Sequence, residues 1–376
     1  MQAHLKFLRR KLAHRAGSWL NRVSSIANTP LSANVVLTTT RHELAETQLY
    51  PFHFYRDVLA QKHGLRYTQI EVESLVGPEA GHLHGTEQHK QVKRVFFQPA
   101  FEMPPEQAVQ ALQRLAHAYP NAKIAYLDWY APLHIRPALY ADPYIDIYVK
   151  KQTYANFAEY SKPTLGDTNL NDYYAKRHGL PDAPQQFTLP PGFEHKLRLG
   201  SNFGLSALMV DWFLGASPTQ SNRDIDLHAR IAVNGVPWYQ VMRQEAKDAV
   251  QKLSNLNIAS EGRVRRHQFF AEMVRSKLCF SPFGYGEVCW RDYEAHATGA
   301  LLLKPDMSHL RVLPDIFVPY ETYVPLQWDL SDFADKVAEY LQDHTARAKI
   351  TAQAFEVNSA WIKSREYAAT IAAWCS

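Results

Sequence analysis

Short apolar runs alternate with stretches of helical spacing along most of this chain. Asn34 to Thr39, Arg66 to Val72, Val92 to Gln98, Lys123 to Leu127 and Tyr144 to Val149 read as strands. Between them, residues 46–62 can bury Leu49, Phe52, Phe54 and Leu59 and read as a helix, as does Pro105 to Ala118. Strands separated by helices of this length form βαβ units, and the crossover makes the sheet parallel. Residues 151–195 break the pattern. They are rich in Pro, Asp, Asn and Tyr, and Gly179-Leu180-Pro181 and Leu189-Pro190-Pro191-Gly192 mark a linker or long loop.

A second alternating set follows. Asp224 to Val233 reads as a strand, Pro237 to Leu253 as a helix opened by its proline, and His267 to Val274 as another helix. Then come a strand at Leu278 to Phe280, a helix from Trp290 to Ala297, a strand at Leu301 to Leu303, a helix over 331–342, and one or two helices over 344–374. The expected organisation is a basic segment at 1–30, a first domain at 31–190, a second at 191–358 and a terminal helix at 359–376. The fold class is α/β, with two Rossmann-like domains facing a cleft.

A length of 376 residues suits two domains of about 150–200 residues. With 46% hydrophobic and 21% charged residues the chain is of ordinary globular type. The net charge of +4 does not argue for a nucleic-acid partner and is compatible with an anionic small molecule. Cys279, Cys289 and Cys375 lack metal-type spacing and are expected to be reduced thiols. No apolar run reaches membrane-spanning length and no signal-type apolar core is found, so the expected location is cytoplasmic. The amino terminus adds one qualification. Lys6, Arg9, Arg10, Lys11, Arg15 and Arg22 precede any acidic residue, and Leu5, Leu8, Leu12 and Trp19 fall among them at helical spacing. Residues 1–25 therefore have the pattern of an amphipathic helix lying on an anionic membrane surface; a solvated basic helix is the plainer alternative.

The chemistry concentrates between Lys277 and Asp306. Strand, glycine loop (Gly284, Gly286), helix, glycine stop (Gly299) and strand succeed one another. A loop between a strand's carboxyl end and a helix's amino end presents backbone N–H groups and the positive end of the helix dipole to an anion. Arg291 and Glu294 are one turn apart on that helix, so an arginine able to grip a diphosphate shares a face with a carboxylate able to accept ribose hydroxyls. Tyr285, Gly286 and Glu287 lie at the turn itself.

This segment resembles the donor-binding part of nucleotide-sugar glycosyltransferases of the GT-B fold. It is most similar to the exostosin family and, more loosely, to bacterial α1,3-fucosyltransferases. The residues that carry the resemblance are Ser276-Lys277, Ser281-Pro282-Phe283-Gly284, Arg291, Glu294-Ala295, Thr298-Gly299 and the run Ala300 to Leu303, continued by Met307 to Pro314, Phe317-Val318-Pro319 and Asp329 to Phe333. The match covers roughly residues 225–345. It implies a nucleotide-sugar donor, a glycan or glycolipid acceptor and no separate cofactor. Donor contacts would come from Arg243 near the start of its helix, from Arg291 and from Glu294. Many GT-B enzymes carry Glu-x7-Glu; here six residues separate Glu287 from Glu294, which leaves Glu294 the better aligned. With the absent signal and the basic terminus, the setting implied is bacterial surface-polysaccharide or lipopolysaccharide assembly.

Four further readings concern single residues. Arg230, within the expected strand, needs a phosphate or a structural carboxylate. Asp128, at a strand's carboxyl end, could be the base that deprotonates an acceptor hydroxyl, or an Asx-turn or cap; His134, Asp167 and Asp172 are rivals. Asp224-Ile225-Asp226 has the Asp-x-Asp form used for metal by GT-A transferases, though it precedes a strand rather than following one. His82, His84 and His89 could hold a metal or be solvated. The alternatives to a metal-independent transferase are thus a GT-A-type enzyme using Asp224 and Asp226, a non-catalytic carbohydrate-binding protein, and a phosphorylase or epimerase.

Overall fold

A computed structural model describes residues 33–374, except 41, 73, 74, 76–86, 102, 221 and 261. The basic segment 1–30, His82, His84 and Cys375 lie outside the described residues.

The first domain is built on strands β1 (Asn34–Thr38), β2 (Thr68–Glu71), β3 (Arg94–Gln98), β4 (Lys123–Asp128) and β5 (Ile147–Lys150). Then come β6 (Gln152–Tyr154), the short pair β7 (Thr164–Leu165) and β8 (Pro184–Gln185), and β9 (Leu197–Leu199). The main sheet has the order β2-β1-β3-β4-β5-β9 and all its pairings are parallel. Val36, Phe96, Ala125, Leu127 and Val149 pack on one face; Val35, Leu37, Val95, Phe97, Tyr126 and Tyr148 pack on the other. Burial on both faces explains why these strands read as continuous apolar runs instead of alternating ones. Because β9 bonds to β5, the first domain extends past the expected boundary at residue 190. The expected helix over 46–62 is two helices, Glu43–Phe54 and Arg56–His63.

The second sheet uses β10 (Ile225–His228), β11 (Ile258–Ala259), β12 (Ser276–Phe280), β13 (Leu301–Pro305) and β15 (Val324–Leu326), in the order β11-β10-β12-β13-β15, again parallel. Renumbered within its own domain this is the order 2-1-3-4-5, the same as in the first sheet up to its added sixth strand. Each sheet therefore has a topological switch point beside its first strand, the place where open α/β sheets form a crevice. One face packs on helices Pro237–Gln251 and Phe333–Gln342 through Ala246, Val250, Phe333 and Val337. The other carries helix Trp290–Thr298, which buries Tyr293, Ala295 and Ala297. That helix ends where expected: Gly299 has φ 75°, and a Cβ there would meet Pro218 and Arg223 at 2.8 Å.

The two domains are joined at three places. Strand β14 (Leu310–Val312) of the second domain pairs antiparallel with β6 of the first, and Ala155 N–H donates to the His309 carbonyl at 2.9 Å. Gly286 lies against the Ala131 carbonyl so closely that a Cβ would fall inside contact distance. The terminal helices His344–Ser364 and Glu366–Ala373 return to the first domain: Tyr55 donates to the Ile362 carbonyl at 3.2 Å, Tyr367 accepts from Ser201 N–H at 2.6 Å, and Trp374 packs on Phe52. The described residues of the expected terminal helix fall mainly in these two helices, broken at Arg365 with φ 61°.

Candidate functional site

The switch point of the second sheet lies between β10 and β12, and the loop after β12 is the glycine segment. Its position is fixed from below. Asp292 is fully buried, 3.0 Å from the equally buried Lys304 ammonium, and accepts from Ser281 Oγ at 2.6 Å and Cys289 N–H at 2.8 Å. The last contact is half of a capping box, so one carboxylate anchors the strand end, the helix start and the neighbouring strand. Because the Lys304 charge offsets Asp292, the helix amino end stays available to an external anion.

Around that amino end two arginines approach without a carboxylate partner among the described residues. Arg243 is 8% exposed; its Nε and Nη1 donate to the carbonyls of Ala232 and Phe283, both at 3.0 Å, and its guanidinium lies 5.6 Å from the Tyr239 ring centre. Arg291 donates to the carbonyls of Phe280 (3.3 Å) and Arg230, and its buried Nε has no acceptor. Burial, then the nearby Arg291 charge, lowers the Arg243 pKa. Two cations held close on neutral carbonyls leave positive charge uncompensated in a partly desolvated place.

Glu294 completes this face. It is 8% exposed, and its carboxylate has no hydrogen bond or ion pair among the described residues, Arg291 included. Burial pushes its pKa up to about 7, against the pull of Arg291 and Arg266. The expected i,i+3 arrangement holds, yet the two side chains do not satisfy each other.

Arg230 resolves differently. Strand β10 ends at His228, so Arg230 follows the strand instead of lying within it, and it forms a two-pronged pair with Glu272 at 2.7 and 2.9 Å. Its partner is the structural carboxylate of the two possibilities. Tyr285 is 46% exposed and stacks parallel on Tyr239 with ring centres 4.4 Å apart, with Trp238 edge-on, so an aromatic shelf borders the loop. Glu287 faces the first domain: it is fully buried, accepts from Asn169 at 2.7 Å, lies 3.5 Å from His309 and keeps Oε2 without a donor.

On the first domain Asp128 does sit at the end of β4, but its carboxylate is occupied. It is fully buried and accepts from Tyr148 hydroxyl, Lys150 Nζ at 2.9 Å and Tyr130 N–H at 2.8 Å. An anion with three internal donors, one a buried ammonium, has the surroundings of a structural ion pair, not of a base awaiting a hydroxyl. Of the rivals, Asp172 caps Leu165 N–H and pairs with Lys176. Burial, then Lys150 and Arg136, pushes the His134 pKa down to about 3. Asp167 alone of the four has no side-chain hydrogen bond or ion pair among the described residues. It lines an open pocket with His134, Arg136, Tyr154 and Asn169. Asn169 is also the donor to Glu287, so this pocket adjoins the glycine loop.

The Asp-x-Asp pair is at the wrong end of its sheet for donor chemistry. Asp224 is paired with Arg275 (Nε–Oδ1 2.8 Å), and Asp226 with Lys277 at 2.7 Å and Asn257 N–H at 2.9 Å. Both carboxylates belong to the amino end of β10, opposite the glycine loop, and both are already neutralised. His89 is buried against Tyr119 and is not a solvated loop histidine.

No protein-family model matches the chain, and no curated protein matches it by sequence. Solved structures do. A glycosyltransferase from Rickettsia africae superposes with a TM-score of 0.50 at 12% identity, over 91% of this chain and 97% of that one. Anabaena HepE, solved with UDP-glucose, gives 0.46 at 9% identity, over 90% and 99%. The UDP-GlcNAc 2-epimerase of Methanocaldococcus jannaschii gives 0.37 at 10%, over 86% and 97%. At these identities the likeness concerns the fold: the chain has the two-domain Rossmann-like architecture of GT-B glycosyltransferases.

Proposed function

We propose that the protein is a glycosyltransferase that moves a sugar from a nucleotide-sugar donor to a glycan or lipid-linked glycan acceptor. The observation that carries this reading is the pairing, at one switch point, of two arginines lacking counter-charges with a buried carboxylate lacking donors. A nucleoside diphosphate satisfies both deficits: its phosphates meet Arg243, Arg291 and the helix amino end, and its ribose hydroxyls donate to Glu294. Tyr285 and Gly286 border the bound donor. As the bond to the anomeric carbon breaks, negative charge grows on the leaving diphosphate, and the same cations stabilise it. The acceptor lies in the pocket lined by His134 and Asp167, with Asp167 in the role of base for its hydroxyl.

The test is a thermal-shift panel of nucleotides and nucleotide sugars, followed by an assay for diphosphate release with candidate acceptors. A ligand held only by the folded state at a hundred times its Kd adds about 2.7 kcal/mol, a readable shift. A panel in which no nucleotide or nucleotide sugar raises Tm would defeat the proposal.

Glu294 gives a pH signature. Hydroxyl donors favour the ionised carboxylate, and burial places its pKa at about 7. Affinity for an uncharged nucleoside should therefore rise between pH 6 and pH 8 and level off above. Glu294→Gln should weaken nucleoside binding by about 1.5–3 kcal/mol at pH 8 and flatten the profile. Calorimetric titrations of both proteins across that range decide it; an identical slope in the variant would remove Glu294 from the ribose site.

We also propose cytoplasmic surface-polysaccharide or lipopolysaccharide assembly as the setting, with residues 1–25 resting on anionic lipid. None of the helices described is long and apolar enough to cross a membrane. Deleting residues 1–25 should leave turnover on a soluble acceptor intact and abolish salt-sensitive binding to anionic vesicles. Each basic residue at such a surface is worth about 1 kcal/mol. Vesicle co-sedimentation that is the same with and without the segment would rule this out.

A further inference from the structure

We infer that Lys151 of the first domain is a ligand of the donor's diphosphate, so that the leaving group is held by cations from both domains. The inference rests on the donor site proposed above and adds to it a residue outside the glycine segment.

Lys150 and Lys151 follow each other at the carboxyl end of β5, and the chain treats them in opposite ways. Lys150 Nζ reaches Asp128 at 2.9 Å and the Tyr130 carbonyl at 3.2 Å, so its charge is compensated internally. Lys151 sits in the bend between β5 and β6 and makes no ion pair with that carboxylate among the described residues. Lys151 is 1% exposed, and among the described residues its ammonium has neither a carboxylate nor a hydrogen-bond acceptor. Its one contact of note is the face of Phe203, 4.5 Å from Nζ to the ring centre. An aromatic face attracts a cation but does not replace a hydration shell.

Phe203 identifies the direction. It stacks at 4.7 Å on Trp290, the first residue of the helix Trp290–Thr298 in the second domain. Arg291 is the next residue of that helix, and Arg243 donates to the Phe283 carbonyl, in the loop before it, at 3.0 Å. Lys304 is spent on Asp292. That leaves Lys151, Arg243 and Arg291 around one helix amino end, contributed by two domains, with no carboxylate paired to any of them among the described residues. The titratable neighbours of Lys151 are Lys150, Asp128 and Cys289; burial and Lys150 lower its pKa to about 7, while Asp128 and Cys289 oppose them. A multiply charged phosphate anion supplies the missing acceptors and holds the ammonium in its charged form. Because the diphosphate gains charge as it leaves, Lys151 would act on the reacting group and not only on ground-state binding.

Lys151→Met keeps most of the apolar stem and removes the ammonium. Titration of the full-length parent and K151M with uridine diphosphate, guanosine diphosphate and the two nucleosides tests the assignment. The parent should prefer one diphosphate over its nucleoside. K151M should lose about ten- to hundredfold in affinity for that diphosphate and keep its nucleoside affinity. Equal diphosphate affinity in parent and variant overturns the role of Lys151 while leaving the donor site standing. Equal losses for nucleoside and diphosphate assign Lys151 to the fold and overturn it as well. A parent that binds neither diphosphate overturns the donor site itself, and this inference with it. If K151M does not fold, a crystal structure of the unmodified protein with the bound diphosphate decides. Lys151 Nζ at hydrogen-bonding distance from a phosphate oxygen upholds the assignment, and a diphosphate contacting only second-domain residues overturns it.

Discussion

Asp128→Asn should destabilise the first domain by about 3–5 kcal/mol, the cost of leaving a buried ion without its counter-charge. The carboxylate is fully buried and takes hydrogen bonds from Tyr148, Lys150 and Tyr130 N–H. An asparagine can present one oxygen to these donors, but its amide nitrogen then faces another donor. Lys150, also fully buried, is left with the Tyr130 carbonyl alone and must give up its proton; burial already lowers its pKa even with Asp128 present. Urea unfolding followed by far-ultraviolet circular dichroism should show an early transition. Adding Lys150→Met in the same chain should restore much of the loss, because an apolar pair of similar volume carries no desolvation cost. If Asp128→Asn instead unfolds like the parent and transfers sugar about 10²–10⁴-fold more slowly, Asp128 is the base after all.

Arg291→Ala should lower affinity for nucleoside diphosphates about a hundredfold, two charge-assisted contacts of about 1.5 kcal/mol each. The side chain is held by the carbonyls of Phe280 and Arg230, which aim it without neutralising it, and its Nε has no acceptor. That preorganisation keeps the ordering cost of binding small. Nucleoside affinity should change little. A matched loss for nucleoside and diphosphate, measured by calorimetry, would mean that Arg291 serves to tie β12 to the chain after β10 and not to bind phosphate.

Strands and helices were legible where burial is two-sided or strongly periodic. Pro105–Ala118 has the expected limits, because proline opens it and a clean apolar stripe runs its length. The helix Trp290–Thr298 is one residue longer than expected and ends at its glycine. The expected strand from Asp224 to Val233 is only Ile225–His228, since apolar residues beyond it pack in a loop that carries Arg230 to Glu272. On the glycine segment the loop, the helix start and the i,i+3 spacing of Arg291 and Glu294 were readable because these are local structural properties. Asp128, Lys150 and Lys151 were not. Whether a strand-end carboxylate is free or paired depends on the next strand over, and Lys150 comes from β5, twenty-two residues on. The Lys-Lys pair closing an apolar strand was the one available signal: two lysines cannot both snorkel from the same buried edge. Strand β6 escaped notice because its pairing lies across the domain boundary, within a stretch whose Pro and Asp content reads as loop.

The β6–β14 ribbon bears on how such a molecule can move. A rotation of one domain against the other that keeps these backbone bonds, with the terminal helices yielding at Tyr55 and Ser201, would pivot close to the ribbon, as a door turns on its pin. Gln152, in β6, also donates to the Ala131 carbonyl on which Gly286 rests, so the glycine loop is seated at the pin. Points near an axle travel least. The loop and the neighbouring Asp167 pocket would keep their spacing through the whole swing, and the distance from donor to acceptor would be set by the axle and not by how far the door has closed.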